Sequence, residues 1–103
     1  MHFALFTIPP METYLVTTFL NVGEPSNAHI RVKPLPGQGL PDDMRVECSR
    51  AMRRAHVVGT IFEINAKLTN KEGGKPFLVA PWNAPYNILS KEEAKSFIKR
   101  HYP

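Results

Sequence analysis

Hydrophobic and polar residues alternate without a break from Phe62 to Thr69. Phe62, Ile64, Ala66 and Leu68 interleave with Glu63, Asn65, Lys67 and Thr69. A period of two over this length predicts a strand with one face on a core and the other toward water. The polar run Asn70-Lys71-Glu72-Gly73-Gly74-Lys75 follows, then the apolar Phe77-Leu78-Val79-Ala80. Thr60–Ala80 therefore reads as a β-hairpin, the organising centre of the chain.

Other segments fall into place around it. Tyr14–Leu20 is rich in β-branched and aromatic residues and ends in the turn cluster Asn21–Pro25, so it reads as a strand. His29–Lys33 alternates, with Ile30 and Val32 inward. Pro34–Asp43 holds three prolines and two glycines and reads as a loop. Arg45–Cys48 is a short strand candidate, and Ser49–His56 is one or two helical turns capped by Ser49. Pro81–Leu89 reads as a proline-bracketed aromatic segment. Ser90-Lys91-Glu92-Glu93 is a capping box opening a helix, with Lys99, Arg100 and His101 near its end, where the dipole favours cations. Ala94, Phe97 and Ile98 form its narrow apolar stripe, expected to dock on Phe62, Ile64, Ala66 and Leu68. The order predicts an α+β, β-rich fold: a twisted antiparallel sheet or small, partly open barrel of about five strands, closed by a C-terminal helix.

Composition narrows the class. A chain of 103 residues has room for one modest core, so residues 1–103 read as a single domain. Within it, residues 1–10 form an N-terminal extension or an edge strand, and Met11 is an alternative start. The apolar Phe3, Leu5, Phe6 and Ile8 there suit pairing with a second copy. Ten prolines exclude long helices across most of the chain. The single Cys48 reads as a buried small hydrophobe and suits a reducing compartment. The N-terminus lacks the basic start and small-residue cleavage site of a leader, and no apolar run nears the roughly 18 residues of a membrane helix. The expectation is a cytoplasmic protein without a membrane partner. Charge is uneven: residues 1–44 hold Arg31 and Lys33 against Glu12, Glu24, Asp42 and Asp43, so the basic character belongs to the second half.

Candidate chemistry is sparse. His2, His29, His56 and His101 are scattered singly, which argues against a metal site. Asp42 and Asp43 read as solvated loop acids, and Gly37-Gln38-Gly39 lacks the strand-before, helix-after context of a phosphate cradle. No cofactor is expected. The densest basic segment is Arg45, Arg50, Arg53, Arg54 and His56, read first as a solvated helical face and second as an anion-binding feature. Trp82 and Tyr86 are the second candidate binding feature. Sealing an open end of the sheet is the commoner fate of a lone Trp, and stacking on a base is the alternative.

The run Val57–Leu78 also resembles a stretch of small uncharacterised bacterial proteins, some carried in mobile integron gene cassettes. The shared pattern is Gly59-Thr60 opening a strand that ends in Lys67-Leu68-Thr69, then Glu72-Gly73-Gly74 and Pro76-Phe77-Leu78. Pro85-Tyr86 and the Ser90–Glu93 helix start continue it, so the likeness covers about the C-terminal half. It implies a small bacterial protein and brings no activity with it.

Three functions are compatible with these features. A non-enzymatic protein-interaction module, homodimeric or bound to another protein, with the N-terminal strip or the Pro34–Pro41 loop at the contact, ranks first. A nucleic-acid-binding β domain using the arginine-rich turn ranks second, because +4 on this length is not extreme. An enzyme with a pocket between sheet and helix ranks third, since no pair of catalytic residue types is adjacent in sequence.

Overall fold

The computed structural model of the chain describes residues 11–21, 30–70 and 74–103. The apolar strip of residues 1–10, His29 and Lys71 lie outside the described residues. The long strand β4 (Ile61–Thr69) is the spine of the sheet. On one side β1 (Glu12–Leu20) runs antiparallel to it, from Glu12 opposite Ala66 to Thr17 opposite Ile61. Beyond β1 lies β2 (Ile30–Pro34), also antiparallel. The other side of β4 takes two short strands. β5 (Phe77–Val79) pairs with Lys67–Thr69, and β6 (Tyr86–Leu89) pairs with Ile61–Ile64. β3 (Val46–Glu47) adds to β5 in parallel, the one departure from the antiparallel sheet expected. The path β2-β1-β4-β5-β3 curls until β2 and β3 touch without sharing a ladder among the described residues, giving a nearly closed barrel.

The strand β6 was not legible as a strand. From Lys67 to Ile64 β4 advances three residues, whereas the return chain spends seven from Val79 to Tyr86. The surplus is the stretch between Pro81 and Pro85. A proline has no N–H to give to a ladder, so the chain leaves β4 there and rejoins at Tyr86. Tyr86 and Ile88 stand opposite Ile64 and Phe62 and share their inward face.

That inward face is the main core. Tyr14, Val16, Val32, Val46, Phe62, Ile64, Ala66 and Leu78 fill it, with Phe62, Val16 and Leu78 wholly buried. The predicted inward set is right for Phe62, Ile64 and Ala66, whereas Leu68, where β4 runs out, is 39% exposed. The short helix α1 (Arg50–Arg54) drops Met52 into the same core, its start capped by the Ser49 hydroxyl accepting from the Met52 amide at 3.1 Å. A turn then feeds β4: Thr60 N–H donates to Val57 O, and Gly59 sits at φ +98°, a conformation that favours glycine.

The C-terminal helix α2 (Lys91–His101) has the full capping box, with Ser90 and Glu93 each bonding the other's amide. Its docking face corrects the sequence reading. Phe97 and Ala94 pack with Leu15 and Ile61, on the opposite side of the sheet from Phe62 and Ile64, and Ile98 joins them. The reason is volume. The barrel interior is filled by its own strands and by Met52, so the helix covers the outer face, where Leu15 and Ile61 need burial.

Candidate interaction surface

Two segments singled out in the sequence are tied together at both ends. Ala80 N–H donates to Glu47 O at 2.8 Å just before the proline excursion begins. His56 Nε2 and the Tyr86 hydroxyl are hydrogen-bonded at 3.1 Å just after it ends. The chain from Glu47 to His56, which contains α1, is therefore tied at both ends to the chain from Ala80 to Tyr86. The arginine-rich turn and the aromatic segment form one side of the barrel.

Within that side the sequence candidates divide. His56 and Tyr86 are structural partners. With Phe62 they form a triangle of edge-to-face rings, centroids 5.4–5.8 Å apart, over the inner face of the sheet. Arg53 fastens α1 to β2 by donating from Nη1 to Ile30 O at 3.0 Å, and its buried Nε has no partner among the described residues. Arg45 lies elsewhere, over the Phe77 ring at 4.0 Å and paired with Glu47 at 3.2 Å. Arg50 and Arg54 are exposed on α1.

Trp82 is the outlier. It is 80% exposed, which overturns the expectation that it seals the sheet. The physical cause is the excursion itself. A turn closed by Ala84 N–H donating to Pro81 O at 3.0 Å projects residues 82 and 83 away from β4. The prolines at 81 and 85 restrict the loop, so Trp82 is presented at low conformational cost. Six further large apolar residues are exposed among the described ones: Met11, Leu20, Val57 at 79%, Val58, Leu68 and Ile88 at 50%. The pair Val57-Val58 was the legible signal, because two branched apolar residues beside a glycine turn have no strand partner to bury them.

Clefts border this side. The seam between β2 and β3 opens a cleft of about 490 Å³ whose lining includes Arg31, Lys33, Asp42, Asp43, Cys48 and Arg53. Burial pushes the Cys48 thiol up, and the charge of Arg53 offsets this only in part, so the thiol stays protonated at neutral pH and is a poor nucleophile. The groove between β6 and α2, about 480 Å³, carries Glu63, Glu92, Glu93 and Arg100. Among the described residues no three His, Cys, Asp or Glu side chains converge as a metal site, and no helix is long and apolar enough to cross a membrane.

Comparison with protein-family models, with curated proteins and with solved structures gives no match.

Proposed function

We propose that this chain is a small non-enzymatic protein-interaction module that works as a homo-oligomer, with its contact on the side bearing Trp82. The observation that carries this reading is Trp82 itself, 80% exposed on a proline-bracketed turn whose flanks are tied to Glu47 and His56. Trp and Arg dominate interface hot spots, and Arg50 and Arg54 are exposed on α1. A bacterial, cytoplasmic setting belongs to the same proposal. Sedimentation equilibrium over a wide concentration range tests it: the wild type should associate, and Trp82→Ala should weaken the association at least tenfold. A wild type that stays monomeric throughout removes the reading.

Nucleic-acid binding is the second reading, favoured by the exposed Arg50 and Arg54 and by an exposed tryptophan whose ring offers a stacking face to a base. Magnitude ranks it lower. Two phosphate contacts on a single strand give a salt slope of only about −1.4 in log–log terms, a small electrostatic contribution. A mobility-shift titration at low salt with no shift would end it.

A further inference from the structure

We infer that a second copy of this chain adds to the edge of β6 left unladdered among the described residues, antiparallel and centred on Ile88, so that two barrels share a continuous sheet. The inference rests on the self-association proposed above and specifies its geometry. Three observations carry it.

First, among the described residues β6 is laddered on one side only, to β4. Its four residues, Tyr86-Asn87-Ile88-Leu89, contain none of the devices that protect an edge: no proline, no lysine and no inward charge. Second, Ile88 faces inward opposite the wholly buried Phe62, yet is 50% exposed. An inward-facing β-branched residue left open at an edge is what a neighbouring strand would cover. Residues directly opposite in an antiparallel pair point to the same face, so a two-fold axis normal to the sheet must pass through a residue position. Centring it on Ile88 sets the two isoleucines against each other and buries both.

Third, the charges on α2 are self-complementary under that axis. A two-fold normal to the sheet reverses every element lying across it, so α2 of one copy runs antiparallel to α2 of the other. Glu92 and Glu93 in the first turn then oppose Lys99 and Arg100 in the last. The groove between β6 and α2 already places Glu92, Glu93 and Arg100 along this border. Two copies of one chain satisfy this pattern, which is the property of an isologous interface.

The test uses the full chain in four forms. Sedimentation equilibrium compares the wild type with Ile88→Lys, which puts a charge on the inward side of the edge. Circular dichroism checks that the variant is folded. Ile88→Cys in a Cys48→Ala background is oxidised mildly, with Leu20→Cys in the same background as the exposed control. The expected result is a dimer weakened at least tenfold by Ile88→Lys and a disulfide dimer formed by Ile88→Cys but not by Leu20→Cys. A wild-type dimer that Ile88→Lys leaves intact, with no preferential cross-link at 88, overturns the edge geometry and leaves self-association standing. If Ile88→Lys fails to fold, the cross-link alone decides. A wild type that is monomeric at every concentration removes the self-association reading and this inference with it.

Discussion

The side-chain amide of Gln38 pairs with the main chain of Leu15 as a strand would, accepting from its N–H and donating to its carbonyl, both at 2.8 Å. The same amide nitrogen donates to Leu35 O at 2.9 Å, and Gln38 is only 4% exposed. β2 ends at Pro34, just short of Leu15, and the loop returns a side chain to finish the ladder. Leu15 O also accepts from Leu35 N–H, so the Leu15 amide is the group that depends on Gln38. Gln38→Ala orphans that buried donor, and the expected loss is roughly 1–3 kcal/mol, read as a lower urea midpoint. Gln38→Glu keeps the acceptor and removes both donations while burying a carboxyl. Burial raises that carboxyl's pKa in the fold, so its protonated form is favoured and stability is lost as pH rises. The Gln38→Glu deficit should therefore shrink between pH 7 and pH 4, whereas the Gln38→Ala deficit should not.

The outer docking of α2 makes a separate prediction. Phe97 and Leu15 belong to one buried cluster, and Ile64 belongs to the other. A double-mutant cycle of Phe97→Ala with Leu15→Ala should give a coupling of about 0.5–3 kcal/mol, whereas Phe97→Ala with Ile64→Val should add. Coupling with Ile64 and none with Leu15 would place the helix on the wrong face.

Gly37 joins the proline loop to the same helix. It sits at φ +102°, and a Cβ there would lie 3.0 Å from Ile98 Cγ2. Gly37→Ala combines backbone strain of roughly 1–3 kcal/mol with that contact. Trimming Ile98 to Ala should relieve the steric part alone, so the double variant should lose less than the sum of the singles in thermal melts.

The elements written by local rules were legible in the sequence. The alternation of β4 and the capping box of α2 both appear where side-chain chemistry placed them. Tyr86–Leu89 was hidden because four residues behind two prolines carry a weaker strand signal than the turn signal before them. The face that α2 covers could not be read, because Leu15 and Ile61 become a second core only once the barrel is full. For the candidate site, the arginine segment and the aromatic segment were both visible, but their juxtaposition depends on the Ala80–Glu47 and His56–Tyr86 bonds between distant positions. The exposure of Trp82 is hidden in the sequence for a related reason. Base rates favour burying a lone tryptophan, and here the prolines hold it out.

Because Trp82 contributes little to the fold, its replacement should separate binding from stability. Trp82→Ala is expected to change unfolding free energy by no more than about 0.5 kcal/mol, the ordinary range for an exposed site. His56→Ala, by contrast, removes two ring contacts and the bond to Tyr86, and should cost more than 1 kcal/mol. A Trp82→Ala variant as damaged as His56→Ala would mean that the tryptophan is part of the core.

Alkaline pH probes the buried titratable groups. Cys48 and Tyr14 both hold their protons more tightly in the fold than in an unfolded chain. Burial raises each, and the Glu12 carboxylate, 3.3 Å from the Tyr14 hydroxyl, adds to the effect on the tyrosine. Below the ordinary thiol value of 9.0 both states keep these protons, and neither group makes stability depend on pH. Above it the unfolded chain loses its thiol proton first, and the tyrosine follows past 10.0, so the folded state binds more protons and stability falls as pH rises. Urea midpoints taken from pH 8 to pH 11 should decline, and the decline should be shallower in Cys48→Ala from about pH 9 and in Tyr14→Phe from about pH 10. Alkylation of Cys48 in the native protein at pH 8 should be slower than in the urea-unfolded chain by more than the difference in solvent access at a half-buried thiol. Equal slopes in wild type and Cys48→Ala, together with rapid native alkylation, would show a thiol that titrates as if in water.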